Sequence, residues 1–272
     1  MTLHELCRLT AAQSVAPGYI LATLEAQAIG PVARPGQFVH VLTDPAGELL
    51  RRPFSIQDAR QRPVGVWEIE LLYSVIGEGT RLFSERAVGG LIDCLGPQGH
   101  QWPVEARPGE RVALVGGGVG VPPLVFLAKE MQTRGIQVDF YQGARRAELL
   151  LMTDRIREFG ATQHLATDDG SQGHKGFVTQ LLPPIGDAPY AAIYACGPLP
   201  MLQALGRWAG CLTPGDNPRI PVYLSFENKM GCAVGACLGC VIPMRSGSYD
   251  RVCTEGPIFR AEAVDFQKLT SL

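Results

Sequence analysis

The chain has no run of about 18 apolar residues, so no membrane-spanning helix is expected. Its first thirteen residues, Met1 to Gln13, lack the basic-then-apolar layout of a signal peptide. Charge of one sign is also missing. With 24 Lys+Arg against 26 Asp+Glu the formal net charge is −2, which gives no strong attraction to nucleic acid or an anionic membrane. Internal repeats and low-complexity segments are absent. Eight cysteines in 272 residues are too sparse for a disulfide scaffold, and a reducing cytoplasm is the expected compartment. What is present is ordinary for a globular protein: 46% hydrophobic and 18% charged residues, enough to bury a sizeable core. The length suits two domains, or a domain pair with an appendage. High glycine (32) and proline (21) favour a turn-rich β region and glycine-cornered binding loops.

The most specific stretch lies near the C-terminus. Cys232, Cys237 and Cys240 form C-x4-C-x2-C, and Cys253 follows after a short insert. That is the spacing of plant-type [2Fe–2S] sites, in which thiolates hold two bridged irons. Gly231, Gly235 and Gly239 alternate with the cysteines, and a loop wrapped around a cluster needs positive φ and close backbone approach. A structural zinc site and disulfides are the alternatives, although zinc ribbons favour paired C-x2-C knuckles and only one pair here has that spacing. Cys7, Cys94, Cys196 and Cys211 lie outside the motif with no mutual ligand spacing.

Upstream, residues 1 to about 103 carry short apolar or alternating segments (19–24, 37–42, 67–73) bounded by turn residues, the pattern of a small antiparallel barrel. Arg52 beside Pro53, Phe54 and Ser55 suits a clamp on a diphosphate. The Gly77-Glu78-Gly79-Thr80 turn opens a short helix whose free N–H groups can face an anion. From about 104 to 218, strands and helices alternate, which implies a parallel sheet with helices on both faces. Strands are expected at 111–115, 136–141, 164–167 and 191–195, and helices at 124–134, 148–159, 178–182 and 200–209. Four polar or glycine-rich corners end the strands, where such sheets bind ligands. They are Gly116-Gly117-Gly118-Val119-Gly120, Gln142 to Arg146, Thr167-Asp168-Asp169-Gly170-Ser171, and Cys196-Gly197-Pro198. Val121 stands where a dinucleotide fingerprint would have its third glycine. Arg145 and Arg146 would favour a 2′-phosphate, an acidic residue would favour the bare ribose, and Asp139 sits mid-strand, so NAD and NADP are not separated by local chemistry. A stiff linker is expected at 218–221, then a strand at 222–226 leading into the cysteines, and a third lobe over 219–272 that closes with the tail at 263–272.

Residues 52–55 and 77–80, in that order, resemble the flavin domain of the ferredoxin–NADP reductase superfamily. The resemblance implies FAD held by Arg52, Pro53, Phe54, Ser55, Leu72, Tyr73, Ser74, Gly79 and Thr80, with Leu95-Gly96-Pro97-Gln98-Gly99 closing the barrel. The superfamily's glycine loop implies that Gly116, Gly117, Gly118, Val119 and Gly120 hold a dinucleotide, helped by Thr167, Asp168, Gly197 and Pro198. Its C-G-P-x-x-M turn, here Cys196 to Met201, places Cys196 near the hydride-transfer site. Over nearly the whole chain, the strings ENKMGC, C-T-E-G-P-I-F, GGGVGVPPL and TDDGS are similar to the electron-transfer subunits of dihydroorotate dehydrogenase B. That family implies a [2Fe–2S] cluster on Cys232, Cys237, Cys240 and Cys253, noncovalent FAD, and NAD. It also implies a heterotetramer with a separate FMN-containing catalytic subunit, and a role in pyrimidine synthesis. Relatives of the same layout serve sulfide dehydrogenase or ferredoxin–NADP oxidoreductases, often with Asp at a cluster position. A zinc-stapled interaction scaffold is the reading from another class.

Overall fold

The computed structural model describes residues 2–44, 46, 50–211 and 219–269. Six strands form a closed antiparallel barrel: β1 (Leu3–Ala16), β2 (Tyr19–Glu25), β3 (Phe38–Val41), β4 (Arg52–Gln61), β5 (Trp67–Ser74) and β6 (Leu91–Gln98), in the order β1-β2-β5-β4-β3-β6. Helix α1 (Glu78–Ser84) lies between β5 and β6. The barrel interior is filled by alternate residues such as Leu9, Leu24, Val39, Phe54, Ile69 and Ile92. The 14-residue β1 carries no clean alternation (Leu6 is exposed, Cys7 and Leu9 buried) and was not foreseen as a strand.

The second unit is a seven-stranded sheet. Its members are β7 (Arg111–Gly117), β8 (Gln137–Ala144), β9 (Thr162–Thr167), β10 (His174–Lys175), β11 (Ala192–Cys196), β12 (Val222–Ser225) and β15 (Ile258–Arg260), ordered β10-β9-β8-β7-β11-β12-β15. All neighbours are parallel except β12 and β15. β7 and β11 read as unbroken apolar runs because both their faces are covered. Between β12 and β15, the hairpin β13 (Val241–Pro243) and β14 (Tyr249–Arg251) belongs to the cysteine segment. Both β12 and β15 lie on the C-terminal side of residue 218, so the cysteine lobe grows out of the same sheet that forms the nucleotide corners.

Helix α2 (Val121–Thr133) joins the two units. Pro122 and Pro123 occupy its first turn, where no intrahelical N–H is lost. It is buried from Val121 to Ala128 because it is covered on two sides, and it places Phe126 in the barrel's core cluster. Two expected helices are shorter than the sequence suggested. Residues 148–159 form a 3-10 turn (Ala147–Leu149) and then α3 (Thr153–Glu158). The break drops Leu151 into the core, where its carbonyl accepts from Gln142 Nε2 at 3.0 Å. Residues 178–182 make one 3-10 turn (Val178–Leu181), because Pro183 and Pro184 follow and disfavour continuation. Helix α4 (Leu199–Trp208) matches expectation. The expected linker at 218–221 is described only from Arg219, and residues 270–272 of the tail lie outside the described residues.

Candidate redox site

The barrel brings Arg52 and Gly79 together although 27 positions separate them in sequence. A Cβ on Gly79 would stand 3.1 Å from Arg52 Nε and 3.1 Å from Thr43 Oγ1. Thr43 is fully buried and its hydroxyl has no partner among the described residues. A guanidinium, an orphan hydroxyl and the bare start of α1 thus converge on one point, and that donor set suits a diphosphate. Sequence reasoning missed Thr43, which has no motif to mark it. Thr80 serves differently from the expectation of a phosphate ligand. Its Oγ1 accepts from Ile76 N (3.0 Å) and Gly77 N (3.2 Å) and donates to Gly77 O (3.0 Å), so the hydroxyl fixes the turn and only backbone remains available.

Phe54, Tyr73 and Phe83 pack as an aromatic triad with ring centroids 5.0–5.2 Å apart. Burial raises the Tyr73 hydroxyl well above its ordinary value. Leu72, on the other face of β5, belongs to the cluster that faces α2. Pro53, Ser55 and Ser74 remain half-buried.

At the carboxyl edge of the sheet, the glycine corner and the Cys196 turn touch backbone to backbone. A Cβ on Gly120 would lie 2.1 Å from Cys196 O, and one on Gly197 would meet Gly117 N at 3.1 Å. Gly118 has φ +54. No other residue type fits Gly120. Cys196 is buried, and burial together with the nearby Glu227 charge pushes its thiol far above the ordinary range, so it stays protonated at neutral pH. It faces Ser225 across the β11–β12 pair. Glu227, the first residue of the ENKMGC string, keeps part of its surface in solvent, yet the protein packed around it pushes its carboxyl up.

Thr167 uses its hydroxyl on Gln172 N and O, and so shapes the loop. Asp168 is exposed, while Asp169 accepts from Ser171 N and Oγ, which holds its carboxyl below the usual range. Asp139 holds Arg111 at 2.9 Å and accepts from Tyr190 at 3.0 Å, a structural role. Arg146 pairs with Glu148 at 2.6 Å.

The four motif cysteines form two pairs, Cys232 with Cys237 and Cys240 with Cys253. No three described His, Cys, Asp or Glu side chains gather closely enough to hold one metal ion. Two dithiol pairs suit a cluster of two irons with four cysteines. Cys232 Sγ accepts N–H from Val234 (3.5 Å), Ala236 (3.3 Å) and Cys237 (3.3 Å), and these donors lower its thiol to about 6. Cys253 is buried beside Cys240, and burial first, then that neighbour, pushes it up to about 11. Of the three motif glycines only Gly235 has positive φ (80°); the other left-handed residues are Ala233 (53°) and Leu238 (56°). Gly231 and Gly239 matter through approach instead, since a Cβ on either would be 3.5 Å from Cys237 Sγ. Arg251 braces the loop through Gly235 O (3.0 Å) and Glu255, whose carboxyl it lowers to about 2. Val234 (55% exposed) and Leu238 (60%) are exposed apolar side chains on the cysteine loop.

A barrel with an arginine set over a helix start, joined to a parallel sheet whose glycine corner abuts a Cys-Gly-Pro turn, defines a nicotinamide-linked flavin reductase of the ferredoxin–reductase fold. A solved NADH-dependent reduced ferredoxin–NADP oxidoreductase superposes with TM-score 0.83 at 28% identity, covering 97% of this chain and 91% of that one. A cytochrome P450 reductase from Amycolatopsis shares the fold at TM-score 0.63, 22% identity, 76% of this chain and 65% of that one. The iron–sulfur cluster binding domain of dihydroorotate dehydrogenase B matches residues 227–265, and the oxidoreductase NAD-binding domain matches 114–206. The chain belongs to the family of dihydroorotate dehydrogenase B electron transfer subunits. It is 41% identical to the NAD(+)-type electron transfer subunit of Bacillus caldolyticus over 89% of this chain and 91% of the relative. It is 43% identical to that of Geobacillus sp. strain WCH70 over 85% and 86%. Among the described residues, no helix is long and apolar enough to cross a membrane.

Proposed function

We propose that the chain is the electron-transfer subunit of an NAD-dependent dihydroorotate dehydrogenase, acting in pyrimidine synthesis in the cytoplasm beside an FMN-containing catalytic subunit in a heterotetramer with two of each. FAD is assigned to residues 1–103, NAD to 104–218 and the [2Fe–2S] cluster to 219–272. When bound, these groups supply the one-electron and hydride chemistry. The chain's own residues hold and insulate them. Arg52, Thr43 and the N–H groups at Gly79 and Thr80 balance a diphosphate's charge, and Pro53, Ser55 and Ser74 face the flavin, backed by Phe54 and Tyr73 in the barrel core and by Leu72 against α2. Gly116 to Gly120, with Gly197 and Pro198, let a dinucleotide backbone approach closely, and Asp168 stands free at the neighbouring corner to accept from ribose hydroxyls. Cys196, protonated and buried, excludes water from the transfer site and serves no nucleophilic step. Cys232, Cys237, Cys240 and Cys253 hold the irons.

The observation that carries this reading is the exit of the cysteine loop from β12, whose last residue, Ser225, pairs with Cys196. The lobe begins one strand away from the hydride turn. Purified full chain is tested by visible spectrum with iron, sulfide and flavin analysis, then by anaerobic titration with NADH and NADPH. Flavin bands, about two irons per chain and bleaching by NADH are expected. Zinc without iron, or no flavin, refutes the relay. The 28% identity to the ferredoxin–NADP oxidoreductase favours one second reading, service to another oxidoreductase. Co-purification with an FMN protein that oxidises dihydroorotate separates the two.

A further inference from the structure

Arg251 is built into the turn that carries Cys253. On β14 it pairs with Val241 of β13, the residue after Cys240, and Val252 N donates to Cys240 O at 3.0 Å. Its own carbonyl accepts N–H from Thr254 (3.3 Å), Glu255 (3.0 Å) and Gly256 (3.1 Å). Its backbone N–H and its Nε both donate to Glu255 Oε2, at 2.8 and 2.7 Å, and Nη2 reaches Glu255 Oε1. The remaining guanidinium nitrogen crosses to the other cysteine pair: Nη1 donates to Gly235 O at 3.0 Å.

That carbonyl shares its peptide with an N–H that meets sulfur. A trans peptide points its C=O and N–H in opposite directions. At the far end of the Gly235–Ala236 peptide, Ala236 N donates to Cys232 Sγ at 3.3 Å. The guanidinium therefore holds the plane that supplies one of the three N–H donors of Cys232. Hydrogen bonds in series polarise one another, so a cation on the carbonyl strengthens the N–H bond to sulfur. The approach needs glycine: Gly235 has φ +80, and a Cβ there would stand 3.1 Å from Arg251 Nη1 and 3.0 Å from Thr254 Cγ2. Arg251 also lies within electrostatic reach of Cys253 and Cys240. Lysine cannot replace it fully, because gripping Glu255 and Gly235 O together needs the planar fork.

We propose that Arg251 is a positioning residue for the cluster: through the Gly235–Ala236 peptide it aims an N–H at Cys232 Sγ and so favours the reduced state. The proposal rests on the iron–sulfur reading given above. Reduction adds negative charge, which N–H donors at sulfur and a nearby cation both stabilise, so the reduction potential rises. Glu255 orients the guanidinium and opposes this effect with its own charge. Both side chains of the clamp are 35% exposed, so solvent and salt screen them and the effect is a few-fold.

The test is a potentiometric titration of the full, cofactor-loaded chain, read by the electron paramagnetic resonance of the reduced cluster. Arg251→Met is expected to lower the reduced-to-oxidised ratio at fixed poise about threefold, a downward shift of about 28 mV for one electron. Glu255→Gln keeps an acceptor for the guanidinium, removes the opposing charge, and should move the potential upward. Arg251→Lys should recover only part of the Arg251→Met loss; full recovery would mean that charge alone suffices, and overturns the route through the peptide. An Arg251→Met potential equal to or above the parent's overturns the proposal. Where that variant holds no cluster, a Glu255→Gln potential equal to or below the parent's does so. Loss of iron from both variants marks a merely structural brace and overturns it as well. A native chain without iron would instead sink the iron–sulfur reading itself, whereas a normal native signal with unmoved variants sinks the Arg251 proposal alone.

Discussion

Arg155→Met should loosen the joint between barrel and sheet. Arg155 on α3 donates to Asp58 Oδ2 at 2.5 Å and to Glu70, and Lys129 on α2 reaches Asp58 Oδ1 at 2.6 Å. Both carboxylates belong to the barrel, and their side chains are only 3% and 6% exposed. Removing one partner of a buried ion pair costs about 3–5 kcal/mol, because the remaining charge stays desolvated. Here the loss is smaller. Arg155 is itself 21% exposed, Lys129 still serves Asp58, and Arg60 still holds Glu70 at 2.5 Å. About 2 kcal/mol is the expected cost, and at about 2–4 °C per kcal/mol the midpoint should fall by about 4–8 °C. Thermal unfolding of the full chain followed by circular dichroism measures it. Adding Glu70→Gln to Arg155→Met should cost less than the two single losses added, because the two residues share one contact that either change already removes. The reasoning is refuted if Arg155→Met melts within about 1 °C of the parent, or if the double variant is less stable than the two losses added.

In cluster-free chain, Cys232 should react with iodoacetamide along a titration centred near 6, reactive above that pH and quiet below it, while Cys253 should need pH near 11. Mass-resolved alkylation across pH checks this, and equal profiles would refute the role of the three N–H donors. Gly79→Ala should leave folding intact, because Arg52 is the flexible neighbour, yet weaken flavin binding about tenfold, or about 1.4 kcal/mol, as read by flavin release. Gly120→Ala should cost about 3 kcal/mol or more, since the new methyl would lie 2.1 Å from a backbone oxygen with no side chain to yield. Loss of soluble protein or a strongly lowered midpoint is the readout.

Local pattern carried the parts of the fold whose physics is local. β7 and β11 are buried on both faces, so their apolar runs stand out, and the glycine corner and the Cys-Gly-Pro turn each read as strand ends. The cysteine spacing announced its loop for the same reason. What escaped was whatever depends on partners distant in sequence. β1 is a long strand with an irregular burial pattern because two register shifts twist it along β2. Thr43 is an unremarkable letter that acquires meaning only as a buried hydroxyl without a partner among the described residues. Asp58, Glu70, Lys129 and Arg155 look like surface charges, and only the closure of the barrel against α2 and α3 turns them into a joint.

The sheet order gives the arrangement its functional logic. β11 ends at Cys196 and β12 ends at Ser225, directly opposite, so the nicotinamide turn and the root of the cysteine loop leave adjacent strands at one edge. β15 then returns antiparallel to β12, pinning the far end of the lobe to the same sheet. A lobe tethered at both ends to one sheet cannot swing independently of the nicotinamide corner. The barrel meets that assembly through Phe126 of α2 in its core, through the ion pairs on α2 and α3, and through the contact of Gly99 with Gly256 and Pro257. Electron transfer needs fixed separations between carriers, and a hydride step needs a still closer fit. These fastenings of the barrel hold both separations with the same rigid body. Loosening the ion-pair joint should therefore slow reduction by NADH while leaving the contact on the lobe side and the cluster potential unchanged.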